Sequence, residues 1–121
     1  MIKRFDRLDI ATVDLADAVT VYQTNFDFAV QRKSEADEAI IEIGGAQIRV
    51  RAGAAVAEAI SSSGEGLAAL WLEAEDVEKV AEELKAAKIA VSPTRVEGDR
   101  RVIEVDPRSV NMVPLFIFDR L

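Results

Sequence analysis

The 121-residue chain contains no cysteine and no histidine. Without cysteine there is no disulfide framework, no thiolate metal site and no cysteine nucleophile. Without histidine, the commonest transition-metal ligand and the commonest general base near neutral pH are both missing. A metal site would have to be built from carboxylates alone, which favours a hard cation. Gly44-Gly45 is followed by neither a helix start nor a lysine, so it is no phosphate loop. No Gly-x-Ser-x-Gly nucleophile motif is present either. No stretch approaches the ~18 apolar residues of a membrane-spanning helix. The opening Met1-Ile2-Lys3-Arg4-Phe5-Asp6 lacks a signal-length apolar core and reads as a strand, so a cytoplasmic protein is expected.

What is present suits one soluble domain with a single core. Half of the residues are hydrophobic and 31% are charged, a balance that needs no covalent staples at this length. The net charge of −7 and scattered basic residues argue against nucleic acid, whose phosphates require a basic surface.

The chain also repeats itself. At an offset of 62 residues, the spacing between Asp14 and Asp76, Leu8 meets Leu70, Ile10 meets Leu72 and Tyr22 meets Leu84. Ile40-Ile41-Glu42-Ile43 falls on Val102-Ile103-Glu104-Val105 without a gap. In each half an alternating stretch, 7–11 or 70–73, predicts a half-buried strand. Asp14 and Asp76 are natural N-caps. Leu15, Ala18, Val19 and Tyr22 form the apolar stripe of one short helix, and Val77, Val80, Ala81 and Leu84 that of the other. Strand material follows at 28–33, 38–43 and 46–51, with Gly44-Gly45 as a hairpin turn. Its counterpart lies at 90–96, 100–105 and 112–118, with turns at Gly98-Asp99 and at Asp106 to Ser109. A short helix over 54–60 and a flexible linker from Ser61 to Gly66 join the halves. The organisation is two βαβββ modules of about 1–53 and 67–121, with 54–66 between them.

Particular residues suggest a family. Phe5 to Leu15, running into a helix that ends near Tyr22, resembles the opening of a vicinal oxygen chelate module. Gly66 to Val77 resembles the start of a second such module, and Asp106-Pro107 the turn before that family's last strand. The resemblance covers almost the whole chain and points to the glyoxalase/bleomycin resistance/dioxygenase superfamily. It implies an α+β fold whose two βαβββ modules form a half-open barrel of mixed sheets, with a ligand on the concave face. Metal-dependent members usually bind a divalent ion through a first-strand His and a last-strand Glu in each module. Carried over one by one, these positions fall on Arg7, Ala69, Arg49 and Val113 or Pro114. None is a good ligand, and an arginine repels a metal. No metal and no cofactor are therefore expected, and the family's metal-dependent activities are doubtful here.

Strand alternation puts Arg7, Asp9 and Ala11 on that concave face with Gln47, Arg49 and Arg51. In the second half it puts Ala69, Trp71 and Glu73 there with Val113, Leu115 and Ile117, while Leu70 and Leu72 face the core. The candidate ligand-binding residues are Arg7, Asp9, Arg49, Trp71 and Glu73. Arg7 and Arg49 suit bidentate capture of an anionic group, and Trp71 suits stacking. The bland alternative is a structural ion-pair cluster and ordinary packing, with Tyr22 in the core. The expected function is metal-independent binding of a small organic ligand, by a homodimer that engages neither nucleic acid nor membrane. Two rivals are a cofactor-free isomerase or lyase using Asp9 or Glu73 as acid/base, and a ligand-free structural or regulatory relic.

Overall fold

A computed structural model describes residues 1–121, apart from the side chain of Ser34. It is a mixed α+β chain with two compact units, Arg7–Ala68 and Met1–Asp6 with Ala69–Leu121. Strands β1 (Ile2–Ala11) and β5 (Gly66–Ala74) contribute residues to both.

In the Arg7–Ala68 unit, helix α1 (Leu15–Phe26) follows β1 and precedes β2 (Val30–Lys33), β3 (Glu38–Ile43) and β4 (Ala46–Arg51). Strands β2, β3 and β4 pair antiparallel, and β4 pairs parallel with β1. The sheet is mixed because the α1 crossover leaves β2 and β4 running parallel to β1, while hairpin turns make β2, β3 and β4 antiparallel. Gly44 and Gly45, with φ of 56° and 85°, make the tight β3–β4 hairpin that their lack of Cβ permits. Asp14 caps α1 by accepting from the Asp17 backbone N–H at 3.0 Å. Leu15 and Val19 then bury against Ala39, Val50 and Ala52 on the sheet. Tyr22 is half-buried at the edge of this core, beside the rings of Phe26 and Phe28. The helix runs past Tyr22 to Asp27, whose left-handed backbone stops it.

In the other unit, helix α3 (Val77–Ala86) precedes β6 (Arg95–Glu97), β7 (Arg100–Val105) and β8 (Leu115–Arg120). Strands β6, β7 and β8 pair antiparallel, and β8 pairs parallel with β5. Val77, Val80 and Ala81 pack on Ala74, Ile103, Val105 and Ile117. None of the helices is long and apolar enough to cross a membrane among the described residues.

Three expectations need correction. Strand 90–96 shrinks to Arg95–Glu97 plus a single bridge from Val91 to Val105, because Pro93 has no N–H to give a ladder. Segment 61–66 is not a free linker: Ser61–Ser63 end helix α2 (Ala57–Ser63), Glu65 is hydrogen-bonded and Gly66 opens β5. The last strand starts at Leu115, after left-handed residues at Asn111 and Met112. Its register pairs Trp71 with Phe116 and Leu72 with Ile117. Phe116 and Phe118 therefore share the face of Trp71, whereas Leu115 and Ile117 face α3. A register shift of one residue moves every side chain to the other face.

Asp119, only 3% exposed, ties α3 to this sheet. Its carboxylate accepts from the Val77 backbone N–H at 2.8 Å and from Arg101 Nε at 2.8 Å. Burial pushes this carboxyl up, but the Arg101 guanidinium and the Val77 N–H outweigh it and hold the group below its ordinary value. With a depressed folded value, the stabilisation is present above the unfolded carboxyl's pKa of about 4. It is lost as pH falls through the folded value. Asp119→Asn should lower stability at pH 7 by about 1–3 kcal/mol. It should also flatten the acid limb of the urea-midpoint-versus-pH curve; an unchanged acid limb would count against this role.

Candidate functional site

One face of the Arg7–Ala68 sheet is almost wholly polar. Alternation brings Arg7 and Asp9 on β1 beside Gln47, Arg49 and Arg51 on β4, and these beside Glu38, Ile40 and Glu42 on β3. Gln31 and Lys33 on β2 complete the row. The opposite face carries Ile10, Ile48 and Val50 against α1. The period-2 pattern thus puts the core on one side and the chemistry on the other.

Asp9 is at the centre and is 4% exposed. Arg49 grips it with two bonds, Nε to Oδ1 at 2.9 Å and Nη2 to Oδ2 at 2.7 Å. Arg7 Nε lies 3.2 Å from Oδ1. Glu38 adds a second carboxylate, with Oε2 at 3.5 Å from Arg51 Nε and 3.8 Å from Arg49 Nε. Three guanidinium groups thus share two carboxylates. Gln47 donates to Glu42 at 3.1 Å on the exposed side. Together Arg7, Lys33, Gln31, Glu38, Gln47 and Arg49 border a polar concavity of about 260 Å³.

The other unit holds Trp71 and Glu73 on one face of its sheet, with Phe116 and Phe118 in place of the expected Leu115 and Ile117. Trp71 is 7% exposed, stacked on Phe116 at 4.6 Å and edge-on to Phe118 at 6.2 Å. The Arg100 guanidinium sits 3.9 Å from the Phe118 ring centre and 5.9 Å from that of Trp71. Glu73 accepts from Arg4 at 3.1 Å, with Arg120 at 3.5 Å and Lys3 at 3.8 Å. Arg4 also donates to Asp6 at 2.7 Å, and Arg100 donates to it at 3.2 Å. The bonds to Glu73 and then Asp6 hold the Arg4 proton more firmly than usual. Asp9 and Glu73, the two acid/base candidates, each lie within a separate set of cationic partners.

Sequence reasoning missed Glu38, and it missed Lys3, Arg4, Asp6, Arg100 and Arg120 around Glu73. Glu38 was findable, since 38, 40 and 42 alternate on the strand expected at 38–43. The Arg100–Arg120 pairing depends on the β7–β8 register, which the uncertain turn concealed.

The divalent ion implied by the resemblance does not fit these residues. Arg7 and Arg49 offer only donors, and both Asp9 oxygens are taken by guanidinium N–H groups. Val113 and Pro114 precede β8, and the residues of β8 on the Trp71 face include Phe116 and Phe118. No cluster of three or more metal-ligating side chains exists among the described residues.

A sequence profile described as the Glyoxalase/Bleomycin resistance protein/Dioxygenase superfamily matches residues 4–112. No curated protein matches the chain. Among solved structures, a hypothetical protein from Bacillus halodurans C-125 superposes with a TM-score of 0.77 at 18% identity, covering 98% of this chain and 94% of that one. Methylmalonyl-CoA epimerase from Streptomyces coelicolor, in complex with 2-nitronate-propionyl-CoA, gives 0.74 at 20% identity, with coverage of 99% and 96%. The Mycobacterium tuberculosis methylmalonyl-CoA epimerase gives 0.75 at 17% identity, with coverage of 99% and 89%. At these identities the likeness shows the fold alone.

The ion-pair geometry predicts an asymmetric mutational response. Asp9→Ala strands the Arg49 charge and should cost about 3–5 kcal/mol, whereas Asp9→Leu combined with Arg49→Met should cost less. Urea denaturation of the three proteins checks this; a loss below about 1 kcal/mol for Asp9→Ala would refute it.

Proposed function

Because this chain belongs to the glyoxalase/bleomycin resistance protein/dioxygenase superfamily, we propose that it is a metal-independent binding protein for a small organic ligand with an anionic group. The ligand lies on the polar face of the Arg7–Ala68 sheet, where Arg7 and Arg49 supply the positive charge.

The observation that carries this reading is the bidentate Asp9–Arg49 pair at the border of the concavity. Asp9 takes the Nε and Nη2 side of the guanidinium. That side fixes the group in place, and the Nη1–Nη2 edge remains for a planar anion. A pre-positioned guanidinium loses little conformational freedom on binding. Arg7 adds a second cation from the neighbouring strand. The amides of Gln31 and Gln47 supply neutral donors and acceptors at the rim, the few polar groups that set ligand orientation.

Binding is favoured over proton transfer because the candidate bases are already engaged. Both Asp9 oxygens accept guanidinium bonds, and Glu73 is held among Arg4, Arg120 and Lys3. A general base needs a lone pair within reach of the proton it removes.

Calorimetric titration with small carboxylates and phosphate, in the presence of EDTA, tests the reading. At least one anion should bind, and Arg7→Gln should weaken it about tenfold, the effect of losing one charged hydrogen bond. Binding that requires an added divalent ion, or that is unchanged in Arg7→Gln, would contradict it.

A further inference from the structure

On the helix side of the same sheet is a second concavity, of about 310 Å³, outside the charged face described above. Its floor is apolar, made by Ile10 and Ala11 of β1 and by Ala18 and Val21 of α1. The Tyr22 ring forms part of its wall, and Val21 is 40% exposed beside it. Tyr22 continues into an aromatic cluster, with the Phe26 and Phe28 ring centres at 6.2 and 6.4 Å. Phe26 is 58% exposed, so this cluster extends the apolar surface outward.

A single charged side chain, Glu65, lines this groove. Glu65 is exposed, and two hydrogen bonds orient its carboxylate. Oε1 accepts from the Thr12 hydroxyl at 3.0 Å and from the Val13 backbone N–H at 2.8 Å. Both bonds end on one oxygen, which leaves Oε2 to meet a ligand. Gly64 and Gly66, with φ of 76° and 129°, set the course of the chain on either side of this residue. No lysine or arginine lines the groove among the described residues, and α1 has none in its sequence. The exposed carboxylates of Asp14 and Asp17 at the start of α1 add to the negative local field.

An apolar floor, an aromatic wall and one fixed carboxylate without a compensating cation are the complement of an amphipathic organic cation. We propose that this groove binds a small organic ammonium compound with an apolar body, the ammonium on Glu65 and the body against Val21 and Tyr22. The Tyr22 side chain adds apolar contact area for the body beside the charge pairing at Glu65. An anionic ligand is excluded by the same carboxylate, so this site and the guanidinium site on the opposite face select opposite charges.

The test is amide NMR of the full chain titrated with 4-phenylbutylammonium, and in parallel with neutral 4-phenylbutanol and anionic 4-phenylbutyrate. The ammonium should bind best and shift amides of 10–12, 18–22 and 65–66. Glu65→Gln keeps an oxygen to accept the Thr12 and Val13 bonds while removing the charge. It should weaken the ammonium about tenfold and leave the alcohol within about twofold. Val21→Arg, at an exposed helix position, should abolish ammonium binding by placing a cation in the groove. Arg7→Gln should leave ammonium binding unchanged, which separates this site from the one on the opposite face. Absence of binding, equal binding of all three compounds, shifts confined to other regions, or an ammonium affinity unchanged in Glu65→Gln would each overturn the proposal.

Discussion

A carboxylate that is 4% exposed in the middle of a sheet has to be neutralised, and Asp9 is neutralised by Arg49. An ionised carboxylate without a partner costs several kcal/mol in such a place. The parallel β1–β4 register, which sets Asp9 opposite Arg49, is therefore as necessary as any apolar contact. The charges around it follow from that pairing. Arg7 approaches the same carboxylate, and Glu38 balances Arg49 and Arg51 from the third strand. Hydrophobic residues of similar volume would stabilise this face as well or better.

The two units show two ways of using one βαβββ plan. Both put a helix on one face of the sheet through caps at Asp14 and Asp76 and an apolar stripe. Their other faces differ in kind. Guanidinium pairs with carboxylate around Asp9, whereas Arg100 lies over the rings of Phe118 and Trp71. Arginine serves both because its planar cation forms bidentate bonds and also stacks.

The helices were legible because their signals are local. A cap and an i, i+3, i+4, i+7 stripe lie within ten residues, and both survive in α1 and α3. Strands β3, β4 and β7 were legible for the same reason, each a short apolar-rich run between turn residues. Arg7, Asp9 and Arg49 were singled out correctly as neighbours because β1 and β4 keep their alternation unbroken. The last strand was not legible, since the left-handed residues at 111 and 112 change its register by one and exchange Ile117 for Phe118. Ser61 to Gly66 looked like a linker by composition, yet Glu65 gains its place from Thr12 and Val13, more than 50 positions earlier. Long-range pairing of this kind leaves no local trace.

Guanidinium groups stand where the resemblance implies a metal, and divalent-ion content and binding test this first. The freshly purified protein is analysed by native mass spectrometry, then titrated calorimetrically with Mg²⁺, Mn²⁺, Co²⁺ and Zn²⁺. No stoichiometric metal is expected as purified, and no saturable binding that Asp9→Asn or Glu38→Gln removes. A stoichiometric ion lost in either variant would show instead that Asp9 and Glu38 ligate a metal.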